Sequence, residues 1–401
     1  MDHSLRLPDP GILQSETPFR SFWMAGFECT DKLNAFGNRV DFLLVTDHLR
    51  QAKMDYQLIQ SLDMTTVREG IRWSVVEKSP YEYDWAGVQV LLEAAVESKI
   101  QIVWDLSHFG YPDDLTPLHP MFARRFAALC TAFVRFYRSV DPAGTLIVTP
   151  FNEVSFISWL GGEVCGTVPY CKGYGWEVKY ALMKAYIEGI EALLREDPGV
   201  RILATEPLVN IVAPANASPE EYVAATRANL DQFQVFDILS GRECPELGGK
   251  PEYLDIIGCN FYYNNQWVIE PYESLSWKNE NNDPRWLPLS QLVLHVHKRY
   301  GRPIILAETS HPGPEKTKWI EFIAHQCQII LESRIPFWGI CWYPIIDRPD
   351  WDHLEPWTRA GVWDVDSAIG MDFKRVTDEP AFAALRFAQA QLSGQTLDLQ
   401  K

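Results

Sequence analysis

Eight short apolar runs alternate along the chain with longer stretches of 3.6-residue periodicity, and this alternation constrains the fold more than any other feature. The runs are Phe22–Glu28, Thr66–Trp73, Ile100–Leu106, Thr145–Pro150, Val200–Thr205, Tyr253–Tyr262, Pro303–Glu308 and Phe337–Trp342. Between them, Phe122, Phe126, Leu129, Phe133 and Phe136 form one helical stripe, and Ile320, Ile323, Cys327 and Ile330 form another. Further helices are expected near 45–62, 86–98, 176–196, 219–233, 286–300 and 379–393. Strand-then-helix units build a parallel α/β sheet, and strands that are apolar almost throughout are strands covered on both faces. An open doubly wound sheet would carry a Gly-rich phosphate turn after an early strand. Neither Gly-x-Gly-x-x-Gly nor a P-loop occurs. The expectation is therefore a (β/α)8 barrel, with 1–401 as one domain, 1–19 as an N-terminal extension and 395–401 as a C-terminal tail. A bare barrel needs about 250 residues, so the rest of the 401 residues becomes elaborated βα loops.

The charge balance, 36 basic against 53 acidic residues, gives −17. That excludes a protein that grips nucleic acid through its phosphates, and it disfavours an anionic membrane surface. No apolar run approaches 18 residues, so no membrane-spanning helix is expected. Met1–Glu16 is polar and does not read as a signal peptide. The eight cysteines are scattered, which suits free thiols and a cytoplasmic location. In the Gly-rich loop holding Cys165 and Cys171, a local disulfide or half a metal site is the alternative. His295 and His297 lie two apart within an expected helix, where they face different directions and make no metal pair. Aromatic residues make up 13% of the chain, with 15 Trp. Such an excess either fills a core or lines a site that stacks flat sugar rings.

In parallel barrels the chemistry stands at the C-terminal strand ends. Here those ends carry Glu28, Arg72, His108, Asn152-Glu153, Glu206, then Asn260, Tyr262 and Tyr263, and finally Glu308 and Trp342. Two carboxylates at the ends of apolar strands are costly unless paired or functional. Facing each other across one pocket, they are what glycoside hydrolysis needs: one acts as acid and then base, the other attacks the anomeric carbon. A neighbouring Arg favours a charged nucleophile, while a less charged setting raises the acid's pKa. Glu206 is explained equally well by a strand-end ion pair. Trp23, Trp73, Trp104 and Trp319 read as packing.

This ordered set resembles clan A of the retaining glycoside hydrolases, which are (β/α)8 barrels, and most closely glycoside hydrolase family 1, the β-glucosidase-like family. Asn152-Glu153 and Glu308 match the fourth- and seventh-strand carboxylates. Ile71-Arg72-Trp73-Ser74 is similar to the family's second-strand Arg motif. Ile257-Gly258-Cys259-Asn260-Phe261-Tyr262 is similar to its Asn-Tyr-Tyr motif, and Trp342 with Asp350-Trp351 to its sugar-binding elements. The resemblance implies Glu153 as acid/base and Glu308 as nucleophile. It implies that Asn152 bonds the sugar 2-hydroxyl, and that Arg72 and Tyr262 hold Glu308. Glu28, His108, Asn260, Asp350 and Trp351 would then bind the glycone, and Trp342 would form its stacking floor. Neither metal nor organic cofactor is implied. The acidic loop from Asp347 to Glu355 disfavours phosphorylated sugars, so the expected partner is a neutral β-linked glycoside. The alternatives are a transglycosidase using the same residues and a catalytically silent carbohydrate-binding barrel.

Overall fold

The computed structural model describes residues 17–366 and 373–399. Eight parallel strands close into a barrel: β1 Trp23–Gly26, β2 Thr66–Gly70, β3 Gln101–Asp105, β4 Ile147–Thr149, β5 Arg201–Pro207, β6 Ile256–Asn260, β7 Ile304–Thr309 and β8 Phe337–Trp342. Each strand pairs with its sequence neighbours, and β8 closes on β1 through Trp23 opposite Ile340 and Ala25 opposite Trp342. The outer ring is α1 His48–Gln60, α2 Ala86–Ser98, α3 Phe122–Val140, α4 Gly175–Glu196, α5 Gln234–Leu239, α6 Leu289–Tyr300, α7 Lys316–Glu332 and α8 Glu379–Leu399.

Alternation along each strand divides the core in two. Residues such as Trp104, Ile202, Ile257 and Ile340 point out against the helices. Met24, Val103, Ile147, Leu203, Ile305 and Cys341 point in and fill the barrel, as expected of layers built from alternate strands. Phe19 joins this inner cluster. The last residues of the expected 1–19 extension therefore belong to the barrel, while 1–16 lie outside the described residues. At the other end, α8 runs to Leu399, so most of the expected 395–401 tail is helix, and 400–401 lie outside the described residues.

The aromatic stripe of α3 does what its spacing implies: Phe122, Phe126, Leu129 and Phe133 are buried. Phe126 packs against α4 at Gly189, where an added Cβ would stand 2.6 Å from its ring. A side chain there would push the two helices apart. Emptying the site by Phe126→Ala would cost about 3–5 kcal/mol. The expected helix at 219–233 forms as Pro219–Asp231 behind a Ser218 capping box, but it buries only Ala225. It stands outside the ring, whose fifth position is taken by the short α5, with Val235, Phe236, Ile238 and Leu239 buried. Its polar sequence supplies no wide apolar face, and that decides its place. Among the described residues no helix is long and apolar enough to cross a membrane.

Candidate active site

Where β7 pairs with β6, the register shifts between Leu306 and Glu308. Such an irregularity re-aims a side chain. Glu308, which strict alternation would turn outward after the inward Ala307, instead meets two partners in the barrel. Arg68 Nη1 donates to Glu308 Oε1 at 2.9 Å, and Tyr262 Oη donates to Oε2 at 2.8 Å. Glu153 follows β4 in a left-handed turn, φ 47°, and its Oε1 accepts from Asn260 Nδ2 at 2.9 Å. Asn152 connects the two carboxylates: its Oδ1 accepts from Arg68 Nη2 at 3.2 Å and from Thr205 Oγ1 at 2.8 Å, with Asn260 Nδ2 at 3.5 Å.

The two carboxyl groups have unlike settings. Glu308 has a guanidinium and a phenol. Glu153 has one neutral amide. Burial first, and then the facing charge of Glu308, push Glu153 well above the usual carboxylate range, against the Asn260 hydrogen bond and the more distant Arg68. This is the pattern in which environment assigns two acids to two roles.

A second group lines the floor beyond them. Asp105, at the end of β3, accepts from Arg68 Nη2 at 2.6 Å and from His108 Nδ1 at 2.7 Å. Burial opposes its charge, but Arg68 and His108 outweigh burial and hold Asp105 below its ordinary value. His108 is raised in turn: burial disfavours its cation, and Asp105, Glu28 and Glu308 more than compensate. Its Nε2 lies 3.3 Å from Tyr343 Oη and 3.8 Å from Glu28 Oε1. Glu28 pairs with Arg348 at 3.1 Å, accepts from Thr30 Oγ1 at 2.6 Å, and meets Trp351 Nε1 at 3.4 Å. Burial would raise its carboxyl, yet Arg348, His108 and Thr30 together hold it low.

The structure therefore brings together Glu28, His108, Asn152, Glu153, Asn260, Tyr262, Glu308 and Trp351. It does not do so for three other residues. Arg72 turns away and pairs with Asp41 at 2.6 Å; the guanidinium on Glu308 is that of Arg68. Arg72 lies two residues beyond the end of β2, past the point where pleat alternation aims a side chain into the barrel. Trp342 is no stacking floor: it is fully buried in the layer between barrel and helices, and its Nε1 donates to Ala360 O. The inward neighbour is Tyr343, whose ring stacks on His108 at 5.6 Å and lies 5.3 Å from the Arg68 guanidinium. Room for it comes from Gly26, where a Cβ would fall 2.0 Å from the Tyr343 ring. Asp350 caps its own loop, accepting the backbone N–H groups of Asp352 and His353 at 2.9 Å.

Arg68, Asp105, Tyr343 and Arg348 are the functional candidates that the sequence reading missed. The first three had a signal: each has the inward parity of its strand, and a charged or phenolic group at an inward position needs a polar partner inside.

Cys29, Asp105 and His108 bring potential metal-binding atoms within 4.8 Å of one another. The donor set suits an ion poorly. The Asp105 oxygen already faces Arg68 and His108, and burial holds the Cys29 thiol well above its usual range, whereas a metal takes the thiolate. His295 and His297 belong to α6, and His297 Nδ1 contacts Arg302 O at the helix end. Cys165 and Cys171 are free thiols.

No family model matches the sequence, and no curated protein does either. Solved structures do. A β-glucosidase from Exiguobacterium marinum aligns with a TM-score of 0.73 at 13% identity, covering 94% of this chain and 99% of that one. Aphid myrosinase aligns at 0.71 and 12% identity, over 94% and 99%. The family 1 β-glucosidase from Thermotoga maritima aligns at 0.69 and 14% identity, over 86% of each chain. What the chain shares with these proteins, across nearly their whole length, is the (β/α)8 fold.

Proposed function

We propose that the chain is a retaining glycoside hydrolase acting on β-linked neutral glycosides, with 1–401 forming one catalytic domain. The observation that carries this reading is the contrast between the two acids. Glu308 is gripped by Arg68 and Tyr262. Glu153 has one neutral amide partner and a raised pKa.

In the first step a Glu308 oxygen attacks the anomeric carbon while Glu153 gives its proton to the glycosidic oxygen. The bond to the leaving group breaks and a glycosyl ester forms. In the second step Glu153, now a carboxylate, takes a proton from water as the water oxygen attacks the same carbon. Glu308 is released, and the sugar keeps its configuration. Asn152, fixed by Arg68 and Thr205, offers its amide to the 2-hydroxyl. Glu28, His108 and Trp351 supply hydrogen-bonding groups and an aromatic face to the glycone.

Charge supports a neutral glycone. The cations beside Glu28 and Trp351 are already paired, Arg348 with Glu28 at 3.1 Å and Lys32 with Asp352 at 3.7 Å, which among the described residues leaves neither free for a sugar phosphate. An aromatic wall runs outward from Trp351 through Phe156 to the half-exposed Trp159. It suits an aglycone or an acceptor sugar, so transfer to a sugar is a second reading of the same site.

The test is a panel of nitrophenyl β-glycosides. At least one should be cleaved with retention, as read by NMR of the first-formed anomer, and Glu153→Ala should slow hydrolysis of an unactivated glycoside by about 10²–10⁴-fold. Full activity in that variant would refute the assignment. Product analysis with excess acceptor sugar separates hydrolysis from transfer.

A further inference from the structure

Behind Glu153, on the outer side of β5, stands a carboxyl group that the proposed mechanism leaves unused. We propose that Glu206 is a positioning residue for Glu153: it grips the turn that carries the acid/base, and its charge favours the protonated form of that residue. This rests on the reading of Glu153 given above.

The geometry comes first. Glu206 is 2% exposed. Its two carboxyl oxygens lie 3.2 and 3.3 Å from Ser155 N, two residues past Glu153. The preceding residue of β5, Thr205, accepts the Glu153 N–H at 3.1 Å through its carbonyl. Two consecutive residues of one strand thus hold the segment from 153 to 155 on either side of a non-glycine left-handed turn. Such a backbone costs free energy and persists only where its surroundings enforce it.

The charge comes second. A buried acid kept for structure alone would be expected to have a close cationic partner. Among the described residues no Lys, Arg or His lies within ion-pair distance of Glu206. Lys179 on α4 faces it, but its ammonium donates to Gln234 Oε1 at 2.7 Å. Glutamine could accept the Ser155 N–H equally well at a smaller desolvation cost. What glutamate adds is a negative charge beside Glu153.

The surroundings fix the sign. Facing Glu206 are Lys179 and Tyr186 from α4 and Glu153 from the end of β4; Asp231 and Glu243 act on Lys179. Facing Glu153 are Glu308, Tyr262, Asn260 and Arg68 besides Glu206. Burial, opposed by Ser155 and Lys179, pushes Glu206 up to about 7. Its charge is therefore present on the alkaline side, where Glu153 would otherwise lose its proton.

The test is the pH profile of kcat/KM from pH 4 to 10 for the full chain and for Glu206→Gln, Glu206→Ala and Glu153→Gln. Glu206→Gln should keep its acid-side rate within about two-fold and move the alkaline limb down by about half to one pH unit. Glu206→Ala should also lose about ten-fold in kcat at every pH, because the turn loosens. Glu153→Gln should remove the alkaline limb. If Glu153→Gln keeps that limb, the acid/base reading falls. If Glu153→Gln removes it and Glu206→Gln leaves it at its original pH, the proposal falls alone. A carbon-detected NMR titration needs no substrate, with Glu153 assigned by its loss in Glu153→Gln. A Glu153 midpoint that falls in Glu206→Gln supports the proposal, and a midpoint that stays where it is in the unsubstituted chain contradicts it.

Discussion

Arg68 and Glu69 are neighbours in β2 and both are buried, yet they enter two quite different ionic networks on opposite faces of the strand. On the outer face, Glu69 meets His48 Nε2 at 2.8 Å and Tyr56 Oη at 2.8 Å. His48 Nδ1 meets Asp55 at 2.7 Å, and Arg375 closes on both Asp55 oxygens at 2.8 and 2.7 Å. Two acids face two cations, and the set ties β2 and α1 to the C-terminal hairpin, Trp363–Asp366 with Lys374–Thr377. On the inner face, Arg68, His108 and Arg348 face Glu28, Asp105, Glu153 and Glu308. Three cations serve four acids. Glu153 has no close cation, and burial and then the facing charge of Glu308 push it well above the usual carboxylate range. A balanced buried cluster holds segments together; an unbalanced one leaves a proton available for chemistry.

The sharpest way to break this contrast is to remove the residue that organises the inner face. Arg68→Gln leaves Asp105 and Glu308 buried without their guanidinium. It should lower kcat/KM by about 10²–10³-fold and stability by about 3–5 kcal/mol. Arg72→Ala, by contrast, should stay within a few-fold of the parent in kcat/KM. The reverse ranking, measured by steady-state kinetics and urea unfolding, would restore Arg72 as the partner of Glu308.

That pair of arginines also shows where sequence reading stops. All eight strands were legible, because runs covered on both faces are apolar from end to end. Glu153 and Glu308 were legible because a carboxylate at the end of such a run needs a reason. Trp342 was misread because motif similarity was followed without strand parity; Arg72 shares the parity of Arg68 but lies beyond the end of β2, where pleat alternation no longer aims a side chain. Arg68 shares the inward parity of Met24 and Val103, and Tyr343 that of Cys341, whereas Trp342 falls on the outward side. The register shift that turns Glu308 inward leaves no trace in the sequence, since it arises from pairing with β6.

The outer face offers a stability test of smaller size. Burial disfavours the His48 cation, but Glu69 and Asp55 outweigh burial and raise it from 6.5 to about 9. A folded-state pKa above the unfolded value stabilises fully below pH 6.5, and that contribution is lost as pH rises through 9. It amounts to about 3 kcal/mol. Urea unfolding at pH 6.5 and pH 9 should show the parent losing roughly that much more than His48→Gln, with kcat/KM of the variant nearly unchanged at neutral pH. Equal losses in both proteins would detach the outer network from stability, and a collapse of activity would show that the two faces of β2 are not separable.

The smallest expected effect lies at the end of β8. Tyr343→Phe removes a hydroxyl 3.4 Å from Glu28 and 3.3 Å from His108. It should raise KM about ten-fold, equivalent to about 1.4 kcal/mol. Trp342→Phe should leave KM unchanged and lower stability instead, because that side chain packs on the helix side. A KM effect confined to Trp342→Phe would reinstate it as the sugar platform.

The central claim is that Glu308 attacks the sugar. Incubation with a 2,4-dinitrophenyl 2-deoxy-2-fluoro β-glycoside of an accepted sugar, followed by peptide mass mapping, tests it directly, because the fluorine slows both oxocarbenium-like steps and the activated leaving group restores only formation of the glycosyl ester. The account predicts one sugar per chain, on Glu308, with activity lost in proportion to labelling. A label on any other residue, or turnover of the substrate with inversion and no label, would contradict it.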